Sequence, residues 1–265
     1  NPKPQTPNPK PQTPNPVRLV DSKKLLSGRI IMIASSQSGI KEALGGILAR
    51  IAKTLTDKGL QQKVTLVAVS KTKPKEALME AYEAGQRDFG ENYVDELIEK
   101  APHMPKDVRW HFIGHLQSNK VAKLLSLPIW SIHSVDSEKL AKKLDTACVG
   151  RQNPLRIFLQ ASTSDEETKS GLDPEELIAL AQTVKDSCPR LLLQGLMTIG
   201  KEGDIEAFKA LANLRDQVEA KLGLAKGSLE LSMGMSADFE QAIAHGSNCV
   251  RVGSSIFGSR QYPTK

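Results

Sequence analysis

The chain has 265 residues, 39% hydrophobic and 25% charged, the proportions of a globular protein long enough to bury a large core. Its net charge of +6 does not mark a nucleic-acid binder: residues 1–31 carry Lys3, Lys10, Arg18, Lys23, Lys24 and Arg29 against Asp21 alone, a net of +5, leaving +1 for the rest. Three widely spaced cysteines, Cys148, Cys188 and Cys249, exclude a disulfide framework and indicate a reducing compartment, and no apolar run approaches the roughly 20 residues of a membrane helix.

The chain opens on a repeat. NPKPQTP stands at residues 1–7 and again at 8–14, and seven of the 15 prolines fall before residue 17. Proline removes helix donors, and the stretch has no side chains with which to build a core, so it reads as an extended or disordered tail. A spacer, an unprocessed leader and a ligand for a proline-recognising domain are its alternative roles. Residues 17–36 are basic, serine-containing and acid-poor, a weak likeness to an organelle transit segment, while Met32 is an alternative start of the ancestral chain. The expected organisation is a disordered, proline-rich basic extension over 1–36 and one globular domain over 37–265.

From residue 38 the pattern becomes regular. Ile40, Leu44, Ile47, Leu48, Ile51 and Leu55 recur at helical spacing and predict an amphipathic helix ahead of the first strand. Short apolar runs then alternate with helical stretches. The predicted strands are Val64–Thr72, Arg87–Asn92, Arg109–His115, Ile129–Val135, Leu155–Thr163, Leu191–Ile199, Leu229–Ser236 and Asn248–Ser254. Between them, Ser137 precedes the apolar face Leu140, Ala141, Leu144, Cys148. Asp173-Pro174-Glu175-Glu176 has the form of a capping box with proline at the first helical position, and a longer helix ends near Gly223. Eight strands alternating with helices imply parallel pairing by right-handed crossovers, and this repeat closes into a single (β/α)8 TIM barrel. An open doubly wound sheet is the alternative. It would carry a Gly-rich turn after its first strand, where this chain has Ser70-Lys71-Thr72-Lys73-Pro74.

In such a barrel the C-terminal strand ends form the active mouth. The residues at those ends are polar: Lys71, Asn92, His115, Asp136, Thr198, Ser232, Ser236, Arg251, Gly253 and Ser254. Lys71 stands out, because burial after an apolar strand disfavours its cationic form and a neutral amine is what carbonyl chemistry requires. The other reading is a lysine that snorkels from the strand end. Ser232-Met233-Gly234-Met235-Ser236 and Arg251-Val252-Gly253-Ser254-Ser255 end in small and hydroxyl residues before helices, as phosphate loops after the last two barrel strands do, or as ordinary turns do. His111 and His115 share a strand face but lack a third ligand at suitable spacing. His111 is expected within the barrel and His115 at its mouth. Glu91 is expected to be solvated or to pair with a basic neighbour.

Six blocks in order resemble one family. They are Val67–Thr72, Phe89–Tyr93, Trp110–Gln117, Gly195–Ile199, Leu231–Phe239 and Val250–Gly258, and they look like the pyridoxal phosphate (PLP) homeostasis proteins, also called proline synthetase co-transcribed homologues. The likeness runs from about residue 40 to 262 and leaves the N-terminal tail outside. It implies a PLP fold-type III barrel similar to the N-terminal domain of alanine racemase, with an extra N-terminal helix. By the same resemblance Lys71 matches the lysine that holds PLP as a Schiff base. Ser236, Gly253 and Ser254 match phosphate positions beside Ser232, Arg251 matches an arginine near the pyridine nitrogen, and Asn92 and His115 match pocket positions. A cation there disfavours ring protonation and weakens the cofactor as an electron sink. The racemases compensate with a tyrosine base from a second domain, which this chain is expected to lack; its tyrosines are Tyr82, Tyr93 and Tyr262. The resemblance therefore implies a non-catalytic PLP carrier, a monomer or weak dimer serving vitamin B6 homeostasis and delivery to apo PLP-dependent enzymes. Neither nucleic acid nor membrane is an expected partner. The expected compartment is cytoplasmic, or mitochondrial if residues 1–36 act as a transit segment. The alternatives are a weak PLP-dependent amino-acid racemase or deaminase, and a PLP-independent barrel enzyme acting on a phosphorylated metabolite.

Overall fold

All eight predicted runs form strands: most are short and rich in Val, Ile or Leu, whereas Asp88–Glu91 and Arg109–Phe112 rely on Phe89, Trp110 and Phe112 for their apolar face. A computed structural model describes residues 22–163 and 171–259, with side chains from residue 39 on. Its strands are β1 (Thr65–Val69), β2 (Asp88–Glu91), β3 (Arg109–Phe112), β4 (Ile129–Val135), β5 (Leu155–Gln160), β6 (Leu191–Met197), β7 (Glu230–Ser232) and β8 (Cys249–Val252). They pair in chain order, all parallel, into a closed barrel. The seam joins β1 to β8 over four residue pairs, from Thr65 opposite Cys249 to Ala68 opposite Val252.

Helix α1 (Ser22–Asp57) precedes β1, and one helix follows each strand. In order these are α2 (Lys75–Glu83), α3 (Val94–Lys100), α4 (Val121–Leu125), α5 (Glu138–Ala147), α6 (Pro174–Ser187), α7 (Ile205–Leu222), α8 (Phe239–Ala244) and α9 (Ser254–Phe257). The proline-rich repeat lies outside the described residues, and the boundary expected at 36/37 falls within α1. From Gly39 onward α1 belongs to the barrel unit. Leu44, Ile47 and Ile51 are buried there, whereas Leu48, expected on the same face, is 46% exposed. Arg50 fixes the helix to α8 by two hydrogen bonds to Glu240, at 3.0 and 2.7 Å, with its guanidinium over Phe239.

The helix ends follow the local chemistry. Ser137 Oγ accepts from Leu140 N at 3.3 Å, and a capping box joins Asp173 to Glu176 ahead of Pro174. Gly223 ends α7 in the left-handed region, φ 66°. Seven of the eight strands stop one to four residues earlier than their composition predicts, β4 alone keeping its expected end, and in two of them a left-handed residue follows the strand. β1 was expected to reach Thr72, but Thr72 turns out of the strand with φ 63°. β7 was expected to reach Ser236, but Gly234 turns with φ 94°.

The two faces of the strands do different work. Residues such as Leu66, Ala68, Phe89, Trp110, Phe112, Ile132, Leu159, Leu196, Leu231 and Val250 point outward and join the helix side chains in one buried cluster. Each such side chain contributes about 1.5–3 kcal/mol of burial. The alternate positions face the barrel axis and are unusually polar: Asp88, His111, Ser131, His133, Ser232 and Arg251 are all buried. His111 therefore sits inside the barrel, as expected. Among the described residues no helix is long and apolar enough to cross a membrane.

Asp88 anchors the N-terminal end of this interior. It accepts from Arg109 Nε at 2.7 Å and is hydrogen-bonded to His111 Nε2 at 2.9 Å. Burial alone would raise its carboxyl, but the bonds from Arg109 and His111 outweigh burial and bring it down to about 2 from 3.8. The native state then binds fewer protons than the unfolded chain between about pH 4 and pH 2. The contribution of Asp88 is present above that window and lost as pH falls through it. Asp88→Asn is expected to cost about 1–2 kcal/mol at pH 7 and to flatten the acid limb of stability. Urea unfolding at pH values from 2 to 7 measures both, and an unaltered acid limb would refute the assignment.

Candidate functional site

Lys71 lies two residues beyond the end of β1, in a turn whose backbone is held from several sides. Ser70 N donates to Gly90 O at 3.0 Å, and Ser70 O accepts from Lys73 N at 3.1 Å and from Lys100 Nζ at 2.9 Å. Ser70 Oγ donates to Glu91 Oε1 at 2.7 Å. Lys100 reaches back from the end of α3 to bond Glu91 at 2.8 Å and Glu96 at 2.6 Å, and Glu96 in turn accepts from Thr72 N at 2.7 Å. A β-branched residue at φ 63° is strained by about 1–3 kcal/mol, and this cluster holds Thr72 there.

Glu91 was expected in a solvated loop or beside a basic residue. Its side chain is instead fully buried, and Lys100 is the basic partner. Burial pushes its carboxyl up, against the pull of Lys100 and Ser70, and Oε2 has no hydrogen-bond partner. The sequence signal was there: Glu96 and Lys100 stand at i,i+4 just after a strand-end glutamate.

The cavity beside Lys71 has a volume of about 490 Å³ and opens at the C-terminal end of the barrel. Its walls bring together Lys71, Lys73, Ser236, Gly253, Ser254 and Ser255, with Val69 and Met235 supplying apolar surface. Ser236 Oγ accepts from Gly253 N at 3.2 Å, so the loops after β7 and β8 are tied to each other. The loop after β7 is pinned by Asp238, which accepts from Met235 N at 2.6 Å. At Gly253 a Cβ would stand 3.1 Å from the Val69 carbonyl oxygen. That position is kept bare where β1 and β8 meet. In α9, Ile256 N and Phe257 N donate to Gly253 O at 3.0 and 2.9 Å, which leaves the N–H groups of Ser254 and Ser255 without a backbone acceptor among the described residues, beside the serine hydroxyls of the cavity. Lys73, placed near the rim by the sequence, donates to Ser259 O at 2.8 Å, and burial lowers its amine from the ordinary value.

Of the seven expected site residues, Lys71, Ser236, Gly253 and Ser254 line this cavity. Ser232 and Arg251 are buried in the barrel interior and are not among its walls. Arg251 donates to Ser232 Oγ and to the Thr198 carbonyl, both at 2.8 Å, and burial lowers its guanidinium from the usual value. Asn92 stands at the end of β2, away from the cavity walls, with a buried Oδ1 that lacks a partner. Its backbone carbonyl presses on Gly114, where a Cβ would fall 2.1 Å from the oxygen. His115 is paired with Asp136 at 3.4 Å and is 58% exposed. His133 was missed altogether. The alternation of Ser131 and His133 in β4 was its available signal.

An amine, three hydroxyls and free backbone donors around one cavity suit a small phosphorylated carbonyl compound. Comparison with known proteins points the same way. Residues 48–261 match the family model for the alanine racemase N-terminal domain, which makes the chain a barrel of that class. Alanine racemase from E. faecalis shares this fold, with a TM-score of 0.60 and 22% identity over 87% of this chain and 61% of the racemase. The chain is 46% identical to the human pyridoxal phosphate homeostasis protein over 215 residues, 76% of this chain and 78% of the human one. It is 48% identical to the Schizosaccharomyces pombe pyridoxal phosphate homeostasis protein over 206 residues, 75% and 85% of the two chains. PipY of Synechococcus elongatus, solved with PLP bound, superimposes with a TM-score of 0.71 and 34% identity, covering 83% of this chain and 100% of PipY. The chain belongs to the pyridoxal phosphate homeostasis protein family.

The Lys100–Glu91 pair is a strong structural demand. Lys100→Met would leave Glu91 buried and uncompensated and is expected to destabilise the fold by about 3–5 kcal/mol in urea unfolding. Adding Glu91→Leu should recover most of the loss. A single-variant loss below about 1 kcal/mol would show that the pair does not hold the turn.

Proposed function

We propose that this protein holds PLP in the cavity beside Lys71 and serves PLP homeostasis as a carrier rather than a catalyst. The observation that supports this most directly is the meeting of Lys71 with Ser236, Gly253 and Ser254 around one cavity. Lys71 supplies the amine. Its condensation with the cofactor aldehyde makes a carbon–nitrogen double bond, a Schiff base, and releases one water. Ser236, Ser254 and the backbone N–H groups that follow Gly253 hold the phosphate. Arg251 and Ser232, buried in the barrel interior below the cavity walls, would stand on the ring-nitrogen side, and Asn92 at the end of β2 would act from beyond the walls.

PLP supplies an electron sink when bound, and that capacity depends on the ring nitrogen. A guanidinium on that side keeps the nitrogen unprotonated and weakens the sink. No described tyrosine is placed to act as a base: Tyr82 donates to Asp107, and Tyr93 is 55% exposed at the start of α3. Storage and release suit these residues better than racemisation or deamination, with apo PLP-dependent enzymes as recipients and the cytoplasm as the working compartment. In this reading the barrel acts as a monomer or weak dimer, and residues 1–36 are an extension outside the binding function.

The purified protein mixed with PLP should develop a visible absorbance band that borohydride bleaches, and Lys71→Ala should abolish it. A full band in Lys71→Ala would overturn the assignment of the lysine. Proton exchange at the α-carbon of amino acids in deuterated water, Lys71-dependent and at enzyme-like rates, would overturn the carrier reading.

A further inference from the structure

The barrel interior contains an unbroken file of hydrogen bonds that the cavity itself does not require. Arg251 Nη1 donates to Ser232 Oγ at 2.8 Å, and Ser232 Oγ lies 2.9 Å from His133 Nδ1. His133 Nε2 lies 2.8 Å from Ser131 Oγ, which lies 2.8 Å from His111 Nδ1, and the two imidazoles also meet directly, His133 Nε2 standing 3.1 Å from His111 Nδ1. His111 Nε2 ends the file on Asp88 Oδ1 at 2.9 Å. All six residues are buried. The two ends are of opposite charge: a guanidinium beneath the cavity and a carboxylate at the N-terminal mouth, where Asp88 and His111 line a second cavity.

The ends fix the direction of the protons between them. A guanidinium can only donate and a carboxylate can only accept. Ser232 therefore accepts from Arg251 and gives its own proton to His133 Nδ1. His133 donates from Nε2 to Ser131, Ser131 donates to His111 Nδ1, and His111 donates from Nε2 to Asp88. This assignment gives every proton in the file an acceptor, and it uses His133 in the neutral form in which burial holds it. Arg251 needs such support. Among the described residues it makes no ion pair, its partners being a hydroxyl and a carbonyl. Asp238 attracts it only from beyond ion-pair distance; a buried cation without a contacting anion is costly, and polarised hydrogen-bond networks offset that cost over distance.

We propose that Asp88 is a positioning residue for the cavity at the other end of the barrel: through His111, Ser131, His133 and Ser232 it holds Arg251 in place and in charge. The proposal rests on the PLP reading for its functional consequence, but the relay itself belongs to the empty barrel. Asp88 touches neither Lys71 nor the phosphate loops.

Two measurements test it. In the apoprotein, long-range proton–nitrogen NMR should show His133 and His111 both protonated at Nε2. Asp88→Asn, whose amide presents a donor as readily as an acceptor, should shift the His133 resonances across the barrel. His133 protonated at Nδ1, or His133 signals unchanged in Asp88→Asn, would overturn the relay whether or not PLP binds. The second measurement is a double-mutant cycle on the PLP dissociation constant. Asp88→Asn should weaken binding by about fivefold in the native background and by less than about twofold in Arg251→Gln. Equal losses in both backgrounds would mean that Asp88 does not act through Arg251. If Arg251→Gln fails to fold, Ser232→Ala, which removes the hydroxyl that joins Arg251 to His133, takes its place in the cycle. A Lys71-dependent absorbance band with an additive cycle would sink this inference alone. Absence of the band would sink the PLP reading and leave the NMR outcome to decide the relay.

Discussion

The pairing of β1 with β8 is the constraint on which the site depends. Lys71 follows β1 and Gly253 follows β8, about as far apart in sequence as two elements of the barrel can be. Only closure of the sheet, from Thr65 opposite Cys249 to Ala68 opposite Val252, makes them neighbours. The bare position at Gly253 against the Val69 carbonyl is the local mark of that closure. An open sheet of the same strands would leave the amine at one edge and the hydroxyl loops at the other. The entropy of joining such distant segments must be met before any contact in the cavity exists, so folding and assembly of the site are one event.

Stability and polarity are divided between the two strand faces. The outward face packs against the helices in a cluster of ordinary apolar side chains. The inward face carries two histidines, two serines, an aspartate and an arginine, all buried. Such an interior is acceptable only when its members satisfy each other, since a half-satisfied network is worse than an apolar one. The helix-facing layer supplies the free energy that lets the axis be polar. The same division appears around Lys71, where the apolar strand body ends in a turn tied by ionic and neutral hydrogen bonds.

Much of this was legible in the sequence because it is local. Runs of six to nine residues between turn signals gave eight strands in the right order, and Ser137 and Asp173 start their helices, and Gly223 ends its own, as their chemistry directs. Lys71 and the two serine loops were visible because strand-end residues of a barrel share one mouth. The strand ends were less legible: Ser70 to Thr72 has the composition of a strand, and only the positive φ of Thr72 stops β1 at Val69. The clamp of Glu91 and Lys100 was only half legible: a basic partner for Glu91 could be expected from the sequence, but its burial could not, because that depends on α3 folding back over the end of β2 to reach β1. His133 was hidden for a different reason. A polar residue inside an apolar strand gains its meaning from partners on β3 and β7, far away in the chain. Ser232 and Arg251 were placed among the cofactor residues by resemblance, whereas their measured partners lie in the interior.

The three polar atoms of Ser70 are all engaged, by Gly90, Glu91, Lys73 and Lys100. The backbone beneath Lys71 is thus ordered when the protein folds, and the amine stands on a fixed base. A guest entering the cavity meets a preorganised stump and need not freeze a loop, so association carries little ordering entropy. The converse holds for departure: the turn beneath Lys71 does not have to melt. The lifetime of the loaded state would then be set by the strength of the bond at the nitrogen and by the phosphate contacts, a temporal property that suits a reservoir.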